Sequence, residues 1–186
     1  MNIGVFCSAN NNISPEYFER TAELARWCSG HGHSIVFGGC NMGLMGCLAD
    51  TFASAKGAEN GTKGHLIGVV PSIVEKGGRM SEHLTVHIAC DNLSDRKDLL
   101  LAHSDVVVAL PGGIGTLDEV FTVAAAHTIG YHHKSIVLYN IGGFWDTLIA
   151  MLDDLQARGM VRGRWNDYIR VASTFDELTL LLSQAE

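Results

Sequence analysis

The pattern of apolar positions predicts strands alternating with helices along the whole chain. Seven short apolar runs recur at regular intervals, and most of them are continuous rather than alternating with polar residues. Continuous runs are typical of strands that are covered on both faces of a parallel sheet. The runs cover residues 2–8, 34–39, 65–71, 84–90, 105–110, 135–140 and 168–172.

Helix start and stop signals lie between these runs. Ser14, followed by a proline, supplies an N-cap and a first turn, and the helix that it begins is expected to end at Gly30. A second helix is predicted over 144–158, and Thr174 opens a T-x-x-E capping box before a last apolar helix. The alternation predicts an α/β fold of the Rossmann-like, doubly wound kind, with a mainly parallel sheet of about seven strands and helices on both faces.

Length and composition limit the kind of protein that this can be. The chain has 186 residues, so residues 1–186 are expected to form a single nucleotide-binding domain with no linker or repeat. Hydrophobic residues make up 47% and charged residues 18%, which excludes a disordered chain. The formal net charge of −7 argues against a nucleic-acid partner, because such proteins are usually basic.

The cysteines and histidines indicate a cytoplasmic protein without a metal. Five scattered cysteines, with no C-x-x-C pair, fit a reducing compartment better than a disulfide scaffold. There is no basic leader and no apolar stretch of about 18 residues, so we expect neither a signal peptide nor a membrane span. None of the nine histidines has a metal-ligand spacing, so no metal is predicted.

A glycine-rich loop stands between a predicted strand and a predicted helix. The residues P-G-G-I-G-T-L-D-E at 111–119 follow the apolar run at 105–110. Gly112, Gly113 and Gly115 have no Cβ and let backbone N–H groups approach an anion closely. The helix start adds unpaired N–H groups and the positive end of the helix dipole. This loop therefore predicts a phosphate site.

Glu119 is unexpected beside a phosphate, and it has two interpretations. Thr116 and Glu119 fit the capping-box pattern T-x-x-E, which would give the acid a purely structural role. The other interpretation is a catalytic carboxylate. Arg96 and Lys97 favour the second, since two adjacent cations near a helix start oppose the dipole preference. Their side chains point about 100° apart on a helix, so they cannot both serve one face. Either the basic pair is solvated, or Arg96 faces an anion or carboxylate across the strand ends.

Two further turns at strand ends are candidates for substrate binding. Ser8 lies in a small polar turn after the first strand, where an ordinary loop is the alternative. Gly43 lies in the glycine-rich turn 38–46, where close packing of helix and strand is the alternative.

The order of these motifs resembles that of the LOG family, the cytokinin riboside 5′-monophosphate phosphoribohydrolases. The resemblance rests on G-G-x-x-x-G-L-M-G at 38–46, R-K at 96–97 and P-G-G-x-G-T-x-x-E at 111–119, and it covers nearly the whole chain. It implies a Rossmann-like domain, usually a homodimer, that needs no cofactor. The implied reaction is hydrolysis of the N-glycosidic bond of a nucleoside 5′-monophosphate to a free base and ribose 5-phosphate.

The resemblance also implies roles for individual residues. The glycines of the loop 111–119 and Thr116 would hold the 5′-phosphate. Glu119 would be the catalytic carboxylate near the ribose, and Arg96 its essential partner, with Lys97 beside it in the binding motif. Arg96 could hold the carboxylate in place, keep it ionised or contact the substrate.

The chain departs from the family pattern around the expected base and ribose. Cys40 replaces the third glycine of a G-G-G turn, and Leu93 stands where cytokinin-activating members commonly have methionine. Ala125 and Ala126 replace a Thr-Trp pair, and Gly78 stands where a substrate-binding glutamate is often found. The preferred base is therefore open between a cytokinin, adenine and another purine.

Two other functions compete with hydrolysis. A non-catalytic nucleotide-binding or sensor protein would keep the glycine loop but would not need both Glu119 and Arg96. A lysine decarboxylase would need pyridoxal phosphate and a Schiff-base lysine, and Lys97 is the lysine nearest to the predicted site.

Overall fold

Each of the seven apolar runs contains one strand. The structure is a computed structural model and describes residues 1–59 and 61–185. In chain order the strands are β1 (Asn2–Phe6), β2 (Ser34–Phe37), β3 (Leu66–Pro71), β4 (Val86–Cys90), β5 (Val106–Ala109), β6 (Ile136–Tyr139) and β7 (Ile169–Ala172).

The helices follow the strands in regular alternation. They are α1 (Pro15–Gly30), α2 (Gly43–Ser54), α3 (Ser72–Lys76), α4 (Leu93–Ala102), α5 (Ile114–Thr128), α6 (Asp146–Ala157) and α7 (Phe175–Ser183). The capping box at the start of α7 is confirmed, because Thr174 Oγ1 accepts a hydrogen bond from Glu177 N at 3.2 Å. The start of the predicted helix 144–158 was wrong by two residues. Asn140 binds Trp145 N and Asp146 through its side chain, and these contacts hold a tight turn in front of α6.

The strands form one sheet in the order β4-β3-β2-β1-β5-β6-β7. All neighbouring strands within this sheet are parallel. The order reverses between β1 and β5, where the chain begins to wind in the opposite direction, so the predicted doubly wound α/β fold is confirmed. In such sheets ligands bind outside the carboxyl ends of the strands at this switch point.

Two apolar layers cover the two faces of the sheet. One layer packs α1, α2 and α7 against the strands through residues such as Leu24, Leu44 and Leu178. The other packs α4, α5 and α6, for example through Leu100 and Val120. Because both faces are buried, the strands carry continuous apolar runs. In the described parts of the chain, no helix is both long and apolar enough to cross a bilayer.

Candidate functional site

A pocket of about 280 Å³ opens at the switch point between β1 and β5. It contains six of the residues that the sequence singles out, namely Ser8, Arg96, Gly113, Gly115, Thr116 and Glu119. Its remaining walls are Cys7, Ala9 and Met45. Residues from four separate segments of the sequence thus meet at one place, at the edge of the sheet where the fold predicts a ligand.

The start of α5 is built to receive an anion. Gly113 is the N-cap, and no side chain caps the helix there, so its first N–H groups have no side-chain acceptor. At both Gly113 and Gly115, the space that a Cβ would occupy has no atom within 4 Å. A ligand can therefore approach the backbone of the first turn directly. Gly112 lies beside this turn, in the wall of a neighbouring apolar cleft.

The capping-box interpretation of the T-x-x-E pattern at 116–119 was wrong. The helix begins at Ile114, one turn earlier than that interpretation requires, because the glycine at 113 serves as N-cap. Glu119 is consequently the sixth residue of α5 and lies too deep in the helix to bind an N-cap N–H group. Thr116 and Glu119 instead lie on the pocket side of α5.

Glu119 is a buried carboxyl group with a strongly altered acidity. Its residue is 8% exposed, and burial raises its pKa from the ordinary 4.5 to about 7. The positive charge of Arg96 lowers this pKa, the neighbouring Asp118 raises it, and Lys97 lowers it. A carboxyl group with a pKa near neutrality is well placed to give and take protons at physiological pH.

Arg96 is held by backbone carbonyl groups and not by Glu119. The Asn92 side chain caps α4 by accepting from the N–H groups of the two residues that follow Leu93, which fixes the first turn. From there Arg96 Nε donates to Val69 O at 3.3 Å, and its Nη2 donates to Gly38 O at 3.2 Å. Within the described residues, no ion pair joins Arg96 to Glu119. Its charge acts on the carboxyl group through space.

The glycine-rich turn 38–46 makes room for other parts of the site. A Cβ at Gly38 would overlap the Arg96 guanidinium group. A Cβ at Gly43 would lie 2.7 Å from Ser8 O, and the Gly43 N–H donates to Asn11 Oδ1 at 2.7 Å. Gly43 lies outside the pocket lining, and these contacts fit the close-packing interpretation of this residue.

Lys97 also lies outside the pocket lining. Its ammonium group contacts the two carboxylate oxygens of Asp118 at 2.9 and 3.0 Å. The sequence did not single out Asp118 or Gly38, because the partners of both residues come from distant parts of the chain. Across the described residues, no group of three or more His, Cys, Asp or Glu side chains is placed to hold a metal ion.

Comparison with known proteins agrees with these motifs. Residues 45–182 match the model of a family described as "possible lysine decarboxylase". A probable cytokinin riboside 5′-monophosphate phosphoribohydrolase of Oryza sativa subsp. japonica is 31% identical over 180 residues, which are 97% of this chain and 70% of that protein. A cytokinin riboside 5′-monophosphate phosphoribohydrolase of Arabidopsis thaliana is 28% identical and covers 98% of this chain and 81% of its own.

This chain belongs to the LOG family. Solved structures with the same fold include TM1055, at a TM-score of 0.73 and 24% identity over 98% of both chains. The molybdenum cofactor carrier protein of Chlamydomonas reinhardtii also has this fold, at a TM-score of 0.72 and 21% identity, covering 99% of this chain and 96% of its own. The fold of this LOG-family chain is therefore shared by a protein whose name describes the carriage of a cofactor.

Proposed function

We propose that this LOG-family protein hydrolyses the N-glycosidic bond of a purine-type riboside 5′-monophosphate, such as a cytokinin riboside monophosphate or AMP. The observation that carries the proposal is the position of Glu119, a buried carboxyl group beside Arg96 and the open start of α5. Phosphate binding alone gains nothing from a buried acid, whereas glycosidic bond cleavage does. The names of the relatives support the same class of reaction.

The start of α5 would anchor the 5′-phosphate. Its free N–H groups and helix dipole favour a negative charge, and Thr116 and Ser8 bring hydroxyl groups to the same pocket. An anchored phosphate holds the ribose against the pocket wall that carries Glu119. Binding energy from a part of the substrate that does not react is thereby converted into positioning of the part that does.

Glu119 would act on the sugar. Cleavage breaks the bond between C1′ and the base nitrogen, and the electron pair leaves with the base, which takes up a proton. The sugar then resembles an oxocarbenium ion. Water attacks C1′ and loses a proton, so one water molecule is consumed for each base released. The ionised Glu119 would stabilise the positive sugar and accept the proton of the attacking water.

Arg96 would keep this carboxyl group reactive. Burial favours the protonated form of Glu119, and the positive charge of Arg96 lowers its pKa back toward the ionised form. Two of the guanidinium N–H groups bind carbonyl oxygens, which fixes the side chain, and the group forms part of the pocket wall. The remaining N–H groups are available to a substrate oxygen.

The family description names lysine decarboxylase, an activity that would need pyridoxal phosphate. The residues of this pocket do not fit that cofactor. A Schiff base needs a lysine amine that faces the cofactor. Of the described lysines none lines the pocket, and the amine of Lys97 is bound to Asp118 on another side of α4. The residues of the pocket therefore do not support decarboxylation of lysine.

We also propose that two copies of the chain form a homodimer. Leu93 at the start of α4 is 64% exposed, and Ile114 at the start of α5 is 83% exposed. Both begin helices that carry site residues, and covering them with a second copy of the chain would remove exposed apolar surface from water. Light scattering in solution should give twice the chain mass of 20.0 kDa. The mass of a single chain would contradict the proposal.

The activity is tested by incubating the protein with AMP and with isopentenyladenosine 5′-monophosphate. Free base, measured by chromatography, is expected from at least one of them, together with an equal amount of ribose 5-phosphate. Comparable rates would indicate a general purine monophosphate hydrolase, and a strong preference for the second would indicate a cytokinin-activating enzyme. Binding of both, measured by calorimetry, without release of base would contradict hydrolysis and favour a nucleotide sensor.

A further inference from the structure

The adjacent cations Arg96 and Lys97 have different surroundings. Arg96 forms part of the pocket wall and binds carbonyl groups of the sheet. Lys97 reaches from α4 to α5, where its ammonium group binds both carboxylate oxygens of Asp118. Consecutive helix residues point about 100° apart, so one helix turn presents one cation to the pocket and the other to its neighbour.

The same division occurs on the facing helix. Glu119 lies in the pocket, and Asp118, the residue before it, faces α4. The ion pair between Lys97 and Asp118 therefore joins the residues next to Arg96 and Glu119. It bridges the two helices at the level of the pocket.

Apolar packing fixes only part of α4, so an ion pair to α5 can affect how this helix is oriented. Of its ten residues, all of which the structure describes, Leu100 alone is buried, and it lies one turn beyond Arg96. Leu99 and Leu101 are partly buried against the same apolar layer, so the apolar contacts of α4 lie beyond its first turn. The first turns are held by polar contacts instead, namely the Asn92 cap, the Arg96 hydrogen bonds and the Lys97 ion pair.

The charges of the pair oppose each other at the carboxyl group in the pocket. Asp118 raises the pKa of Glu119 and Lys97 lowers it. An anion 2.9 Å from the Lys97 ammonium group offsets much of the effect that this cation has on the pKa of Glu119. The arrangement fits a mechanical contact between the helices better than an electrostatic adjustment.

We propose that Lys97 is a positioning residue, whose ion pair with Asp118 sets α4 against α5 so that Arg96 and Glu119 face the same substrate, and that Lys97 does not contact the phosphate. This inference rests on the proposed hydrolysis. It replaces the role in substrate binding that the R-K motif suggests for Lys97.

A charge exchange separates the two roles. Lys97→Asp and Asp118→Lys should each lower kcat for base release at least about tenfold, equivalent to about 1.4 kcal/mol on the barrier, with KM changed less than kcat. The double variant K97D/D118K restores an ion pair in reverse and should recover most of the lost kcat. A phosphate ligand would behave differently, because the double variant would stay as low as K97D and KM would rise. That result would overturn the proposal.

A control variant and a measurement that does not depend on substrate complete the test. Arg158→Asp breaks an exposed ion pair at the C-terminal end of α6, outside the pocket lining, and should leave base release unchanged. A double-mutant cycle on the free energy of unfolding, with Lys97→Met and Asp118→Asn, reports the ion pair without any substrate. If the wild-type protein releases no base, the proposed hydrolysis fails, and the cycle alone then decides the inference: absence of coupling between the two positions overturns it.

Discussion

Replacing Glu119 by glutamine is expected to abolish base release and, above pH 7, to stabilise the folded protein. Glutamine keeps the size of the side chain but cannot carry the negative charge that the proposed sugar cation needs. A loss of at least about 100-fold in kcat is expected, as for other groups that stabilise charge in a transition state. The gain in stability has a separate cause, the burial of this carboxyl group.

The sign and pH range of the stability change follow from the acidity of Glu119. Its pKa is about 7 in the folded protein, against an ordinary value of 4.5, so the folded state binds the proton more tightly than the unfolded chain does. As pH rises from about 4.5 to about 7, the raised pKa progressively lowers the free energy of unfolding of the wild-type protein, and above about pH 7 the full loss applies. The difference of about 2.5 pH units corresponds to a penalty of up to about 3 kcal/mol, which Glu119→Gln removes.

Urea unfolding of wild type and Glu119→Gln at pH 5 and pH 8 measures this effect. The free energy of unfolding should differ little at pH 5 and should favour the variant at pH 8. Glu19→Gln is the matched control, since Glu19 is an exposed residue of α1, and it should change neither stability nor turnover. Equal differences in the free energy of unfolding at both pH values would contradict the raised pKa of Glu119. Near-normal turnover in Glu119→Gln would refute the catalytic role given to this residue.

Replacing Gly38 by alanine is expected to reduce base release as strongly as Arg96→Ala does. The added Cβ would occupy the position of the Arg96 guanidinium group, which is the mobile end of a long side chain. The fold can therefore accept the methyl group by displacing Arg96, at the cost of its hydrogen bond to Gly38 O. A loss of about 100-fold in kcat is expected, since the displaced group supports the reacting carboxylate.

The control for this variant is Gly30→Ala at the end of α1. A Cβ at Gly30 has no atom within 4 Å, so we expect normal turnover and a melting temperature close to that of wild type. A second measurement does not depend on activity. With Arg96 displaced, the pKa of Glu119 should rise further in a carbon-13 NMR titration of its carboxyl group, because Arg96 lowers it in the wild type. An unchanged titration with full activity would show that Arg96 remains in place.

Much of the fold could be predicted from local sequence. Seven apolar runs contain the seven strands, because strands buried on both faces must be apolar throughout. The capping box at Thr174 was confirmed because it joins residues only three apart. The same pattern at 116–119 misled, because the glycine at 113 starts α5 earlier, and two overlapping local signals cannot be ranked without the structure.

For the site, the sequence by itself determined the glycine loop, the candidate acid Glu119 and the order of motifs that marks the LOG family. These features lie within single segments, where backbone freedom and helix starts are local properties. Only the tertiary structure decided which of two adjacent cations faces the pocket, that Gly38 makes room for Arg96, and that burial brings the pKa of Glu119 to about 7. Each of these depends on the packing of segments distant in sequence, and neither the burial of a charge nor the space beside a glycine is written in the residues around it.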